Sequence, residues 1–343
     1  MRIRLTWGMS PDLPQHACIV RSRPATRRGG ALLAVLWLAA ALSAIAFSLA
    51  ETVRGEAERA GTALDGARAY YLATGAIERT LLYMQWGGGG AAPGQLPRYW
   101  APWMNRLALS FPTGEAMVEI IPESSKLNLN SAPPEALLLL LLALGAEPGR
   151  AEEITAAIVD WRSPGLRVGL TPFDHYYLSR SPSFRSRNAS FEEVEELLLV
   201  RGMTPELFHG TYERDVQGRL VPRGGLKDCV SIFGTTRRFN VNTAHPALLA
   251  AAGLSPEMVR AIVETRAVQP FRTAEQLASF GPAAARLGIG GDSTYTLRAT
   301  ARPRTLDGKP SDVRRTVAAT FKLVPSGDRP HTILRWQDSA WAQ

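Results

Sequence analysis

The chain has 343 residues, enough for one large or two modest domains, and a formal charge of +8. Residues 1–29 carry six arginines against Asp12 alone, so only +3 belongs to the rest, and charge gives no case for a nucleic-acid partner. Cys18 and Cys229 are the only cysteines, and no Cys/His cluster has metal-site spacing.

From Gly29 to Ala50 no residue is charged, a run long enough to span a bilayer as a helix. The basic residues before it favour a cytoplasmic leader. Ser48-Leu49-Ala50 would serve as a signal-peptide cleavage site, and an uncleaved anchor is a further reading. Arg28-Gly29 followed by the apolar run resembles a type IV prepilin processing site. That resemblance implies cleavage between Gly29 and Gly30, with the helix retained.

The helical pattern continues without proline to Trp86, predicting one helix over residues 31–86, ~84 Å long at 1.5 Å per residue. Val53, Ala57, Ala60, Leu64, Ala67, Tyr71, Ile77 and Leu81 are expected to form its packing face. Four glycines, Gly87–Gly90, are expected to end it.

"GEAMVEIIPE" (114–123) alternates like a strand, as do "STYTLRATARP" (293–303) and "VRRTVAATFKLV" (313–324) around a turn near Asp307-Gly308. "HTILRW" (331–336) is a candidate last strand. Between them lies an internal repeat. "KLNLNSAPPEALL" and "RFNVNTAHPALL" align at a spacing of 112, placing Asn128 and Asn130 on Asn240 and Asn242. Each copy continues through "AIVDWR" or "AIVETR" to a helix headed by Phe191 or Phe271. Ser131 and Thr243 are the expected N-caps of the first helices, and Asn188 or Ser190 that of the helix after Phe191.

This unit also resembles the helix-hairpin-helix modules of DNA-uptake proteins, which would make the chain a membrane-anchored DNA-binding protein. Such modules cradle a phosphate on a Gly-x-Gly turn, whose second glycine lets the backbone approach. The turns here read Gly145-Ala146-Glu147 and Gly253-Leu254-Ser255, so packing between proteins is the preferred use.

Taken in order, "RRGGALLAVLWLAA", "KLNLNSAPPEAL", "AIVDWR", "DHYYL", "FEEVEELLLVRGMTPELF" and "RRFNVNTAHPALL" resemble the general secretion pathway protein K family. These are the largest minor pseudopilins of type II secretion systems. The resemblance implies an α+β fold: a pilin-like long helix with an antiparallel sheet, and an inserted all-α domain holding two helix-hairpin-helix-like repeats. The implied layout is a leader (1–29), the pilin helix (30–86), a pilin-like part (87–123 and 289–343) and the insertion (124–288). It further implies a single inner-membrane pass, a periplasmic globular part, and a processed, methylated N-terminus. Implied partners are the other minor pseudopilins, the major pseudopilin, the prepilin peptidase, the inner-membrane secretion platform and a secreted cargo, with no nucleic acid. The implied role is capping the tip of the pseudopilus and supporting export of folded proteins. Ala34 stands at the fifth mature position, where resembling pilins usually carry glutamate.

No enzyme motif is present, and the five histidines are scattered. His175, beside Tyr176 and Tyr177, is expected to pack, as are most of the eight tryptophans. The family resemblance makes calcium a candidate cofactor, with Asp160 and Asp174 as weak candidate ligands. Two carboxylates are a poor match to the 6–8 oxygens calcium takes.

Overall fold

The computed structural model describes residues 30–86, 99–164, 170–214, 217–290, 293–305, 307–324 and 330–340. The leader, Gly29 and the Gly87–Gly90 break lie outside the described residues. In chain order come α1 (Gly30–Trp86), β1 (Arg106–Phe111), β2 (Gly114–Pro122), β3 (Leu127–Asn128), α2 (Pro134–Ala143), α3 (Pro148–Arg162), α4 (Pro172–Leu178) and α5 (Pro205–His209). They are followed by β4 (Gly210–Arg214), β5 (Leu220–Gly224), α6 (Leu226–Cys229), β6 (Val230–Ser231), β7 (Phe239–Asn240), α7 (Pro246–Ala251) and α8 (Pro256–Val268). The last are β8 (Leu287–Gly288), β9 (Thr294–Pro303), β10 (Arg315–Leu323) and β11 (His331–Gln337).

The chain divides into two compact units, residues 1–61 and 62–343. In the first, the described part of α1 has no buried residue, and Leu32, Leu36, Trp37, Ile45 and Phe47 are all exposed. By length and composition this helix can cross a membrane.

In the second unit, α1 packs through Gly66, Ala69, Leu72, Ala73, Ala76, Ile77, Thr80, Leu81 and Met84. The expected face is therefore corrected: Ile77 and Leu81 are buried, but Leu64, Ala67 and Tyr71 are exposed. Both stripes obey the 3–4 spacing and both are rich in small residues, so periodicity alone could not choose between them. The sheet takes the stripe of Gly66, Ala69, Ala73 and Ala76, whose small side chains allow the closest approach.

The sheet has the order β1-β2-β9-β10-β11, antiparallel throughout. Alternation puts Val118 and Ile120, Leu297 and Ala299, and Val317, Ala319 and Phe321 against α1 as one hydrophobic core. On the other face, cross-strand hydroxyl pairs Thr296–Thr320 (2.8 Å) and Thr300–Thr316 (2.9 Å) satisfy each other.

Strands β2 and β9 are neighbours, paired up to Pro122↔Tyr295, although some 170 residues separate these two in the chain. What lies between forms a second core, from Leu127 to Leu287. Trp161 is its aromatic centre, with ring centroids 5.5 Å from Tyr177 and 6.2 Å from Phe191. Helices dominate this segment, and the all-α expectation needs one refinement. It also holds the β4–β5 hairpin and two short parallel pairs, β3–β6 and β7–β8. Those parallel pairs join residues such as Leu127 and Val230, which no local pattern links.

Several local expectations are corrected. After Phe191 the chain makes a 3-10 turn, Val194–Leu199, capped by Glu193 and not by Asn188 or Ser190. Glu196 accepts there from the backbone N–H groups of Glu192 (2.8 Å) and Glu193 (3.0 Å). His175 is exposed, because Tyr177, two residues and about 200° further round α4, takes the buried side. Trp100 and Trp161 are buried, whereas Trp37 and Trp86 are exposed.

Candidate functional site: the paired repeat

The four repeat asparagines build the same device twice. Asn128 Oδ1 accepts from the backbone N–H groups of Asn130 (2.9 Å) and Ser131 (3.1 Å), closing an Asx turn. Asn130 then reaches 61 residues along the chain, donating from Nδ2 to Phe191 O (3.0 Å) and accepting at Oδ1 from Phe191 N (2.7 Å). In the second copy, Asn240 Oδ1 accepts from Asn242 N (3.0 Å). Asn242 donates to Phe271 O (3.0 Å) and accepts from Phe271 N (2.8 Å). A carboxamide offers a donor and an acceptor side by side, which an ionised aspartate cannot, and this explains asparagine at these positions.

An arginine closes each unit. Arg162 donates to Leu129 O (2.6 Å) and Ala132 O (2.5 Å), and Arg266 to Val241 O (3.0 Å) and Ala244 O (2.7 Å). Burial lowers the pKa of both guanidinium groups from the ordinary arginine value. The helix that follows starts on proline in both copies, with Pro133 and His245 at the caps. Ser131 and Thr243 therefore do not cap: the asparagine turn has already bent the chain before the helix begins.

The two hairpin turns differ from each other. Gly145 (φ 84°) and Gly253 (φ 96°) supply the left-handed conformation that ends the first helix of each pair. In the first turn, the Glu147 carboxylate accepts from Gly149 N (3.0 Å) and Arg150 N (2.9 Å) at the start of α3. These two backbone donors hold its pKa below the usual carboxylate value. The N–H groups a bound anion would need are thus occupied by the chain's own carboxylate. In the second turn, Ser255 Oγ accepts from Met258 N (3.3 Å).

Asp174 is the reciprocal partner in the capping box of α4, whose N-cap is Thr171. Its Oδ2 accepts from Thr171 N (2.9 Å) and Thr171 Oγ1 (3.1 Å), and its Oδ1 from Ser186 Oγ (3.1 Å). The Thr171 N–H is the main cause of its lowered pKa. Asp160 lies near the end of α3. Among the described residues, no three His, Cys, Asp or Glu side chains group as a metal site; residues 165–169 of the loop between the two aspartates lie outside that set. Gly30 opens α1, and Ala34 is exposed on its apolar stretch, where Glu51 is the first acidic residue. Cys229 is buried, and burial raises its thiol pKa.

One polar group escaped the sequence reading. Glu123, at the point where the chain leaves β2 for the second core, is 3% exposed. Its carboxylate accepts from Ser231 Oγ of β6 and from Thr296 Oγ1 of β9 (2.5 Å). It therefore joins the two cores, through residues 108 and 173 positions away in sequence. No sequence signal marks such a contact.

Two family models, both described as type II secretion system (T2SS), protein K, match residues 115–210 and 239–295. One model takes in Asn128 and Asn130, the other Asn240 and Asn242. Over both repeat units the chain is thus similar to this family. The type II secretion system protein K of Klebsiella pneumoniae is 29% identical over 266 residues, which is 70% of this chain and 76% of the relative. That of Pseudomonas aeruginosa is 28% identical over 174 residues, 47% of each chain. Among solved structures, the chain resembles one in the crystal structure of the GspK-GspI-GspJ complex from enterotoxigenic Escherichia coli. The TM-score is 0.52 at 19% identity, covering 84% of this chain and 99% of that one, so the likeness carries the protein K fold.

Proposed function

We propose that this protein is a minor pseudopilin that caps the periplasmic pseudopilus of a type II secretion system and supports export of folded proteins. The observation that carries the reading is α1: an apolar stretch fit to cross a bilayer, continuing into a face that fills the core of an antiparallel sheet. Cleavage after Gly29 would leave Gly30 as the mature N-terminus and keep this helix in the inner membrane. The globular part then lies in the periplasm, divided into a pilin-like part (87–123 and 289–343) and an inserted helical domain (124–288).

Partners in this reading are the other minor pseudopilins, by analogy with the GspK-GspI-GspJ complex of the Escherichia coli relative. The major pseudopilin and the secretion platform follow from the same assembly. Nucleic acid is not among them, because the Glu147 carboxylate holds the donors that would cradle a phosphate in the first turn.

The tip position rests on Ala34. A lone carboxylate in the apolar helix costs about 2.5–3.5 kcal/mol on insertion scales and is offset when the amine of an adjacent subunit pairs with it. Having no acid between Gly30 and Ala50, this subunit does not offer that pairing, which suits the first subunit of a filament. The segment between β2 and β9 would also hinder stacking in a uniform shaft. Immunogold labelling of isolated pseudopili tests the position: label at one end supports it, and label spaced along the shaft overturns it.

A further inference from the structure

Between the threonine-bearing face of the sheet and the second core lies a cleft of about 1,210 Å³, to which nothing above assigns a role. Its chemistry is unbalanced. Lys126 and Lys227 line it, and among the described residues neither ammonium group pairs with a carboxylate. Four carboxylates line it against six lysine and arginine side chains, and three of the four are engaged: Glu123 by Ser231 and Thr296, Glu119 by Arg106 and Arg298 (both 3.3 Å), and Asp228 by Gly225 N (3.0 Å), while Glu195 is exposed. The two half-exposed ammonium groups therefore present donors free for acceptors brought in by a ligand.

Ile232 and Phe233 give the same cleft a half-buried apolar lining. Its volume exceeds what a single small anion would fill. It is also bordered by Arg335 and Gln337 of β11, the last strand of the sheet, whose outer edge has no partner among the described residues. An unpaired edge presents a row of backbone donors and acceptors suited to an extended polypeptide.

We propose that this cleft binds an extended, carboxylate-bearing segment of a neighbouring subunit. The segment lies along the β11 edge, an apolar side chain meets Phe233, and acidic side chains meet Lys126 and Lys227. The inference rests on the assembly reading above and adds to it the surface and the chemistry of the contact.

The test uses the full-length chain co-purified with the minor pseudopilins of its own system. The photoreactive residue p-benzoylphenylalanine replaces Phe233, and cross-linked peptides are mapped by mass spectrometry. The expected product joins position 233 to an acidic extended segment of another subunit. Lys126→Glu with Lys227→Glu should lower its yield at least about tenfold, while Lys126→Gln with Lys227→Gln gives an intermediate loss. Both lysines are partly exposed, so both double variants should keep the parent's unfolding temperature, which is measured alongside. An intact complex with no intermolecular cross-link from position 233 would overturn the proposal and leave the assembly reading standing. A cross-link insensitive to charge reversal, or one to a secreted protein alone, would overturn it equally. Failure of any subunit to co-purify would overturn both.

Discussion

Replacing Asn130 by alanine removes a contact that spans 61 residues and joins the two ends of the first repeat unit. Two hydrogen bonds go, Phe191 N to Oδ1 (2.7 Å) and Nδ2 to Phe191 O (3.0 Å), and Phe191 is only 2% exposed. Water has little access to the N–H and C=O left behind. A neutral hydrogen bond contributes about 0.5–1.5 kcal/mol, and a stranded buried donor costs about 1–3 kcal/mol, so the loss should be about 2–4 kcal/mol. For a unit of this size that lowers Tm by about 5–15 °C. Trp161 stacks against Phe191 at 6.2 Å, so tryptophan emission of the detergent-solubilised chain follows the transition. Asn130→Asp is the finer probe. A carboxylate still accepts from Phe191 N but repels Phe191 O, whereas the protonated acid can donate to that oxygen and replace the amide. The folded state thus favours the protonated form, which raises the folded pKa. The stability regained should be fully present below the unfolded carboxyl pKa and lost as pH rises through the folded value. An alanine variant melting within about 1 °C of the parent, or an aspartate variant with no pH dependence beyond the parent's, would refute the reasoning.

Three further outcomes follow from the geometry. Glu123→Ala removes the shared acceptor of the Ser231 and Thr296 hydroxyls at the junction of the two cores, while Thr296 keeps Thr320 and Ser231 keeps Phe233 N, and should cost about 1–3 kcal/mol in thermal unfolding, with Glu123→Gln costing less. The Glu147 pKa is depressed in the folded state, so the stability of its cap is present above the unfolded carboxyl pKa and lost as pH falls through the folded one. Glu147→Gln should remove that component from an acid titration, and the parent should give no salt-steep DNA gel shift. Ala34→Glu should impair incorporation into pseudopili or leave it unchanged; improved incorporation, scored by immunoblot of sheared filaments, would count against the tip assignment.

The sequence showed most where structure is local. The alternation of "GEAMVEIIPE" lies within β2, and "STYTLRATARP" and "VRRTVAATFKLV" contain the paired strands β9 and β10. The repeat was visible because it is built twice, with asparagine and arginine at matching places. β1 escaped notice, although Leu107 and Leu109 alternate with exposed residues as a strand should. The exposed β4–β5 hairpin carries too little apolar patterning to stand out. The packing face of α1 is ambiguous in the sequence because two small-residue stripes compete, and only the sheet decides between them. What the asparagine carboxamides bind, and the Glu123 bridge, depend on partners from 29 to 173 residues away. Such contacts exist only once the chain has folded.

A pseudopilin needs an apolar helix that is kept after processing and continues into the pilin-like core. The most direct measurement is the intact mass of the protein purified from the inner-membrane fraction, with its N-terminal peptide sequenced. A chain beginning at Gly30, with or without one N-terminal methyl group, is the predicted result. A chain beginning at Glu51, or one that retains residues 1–29, would contradict it.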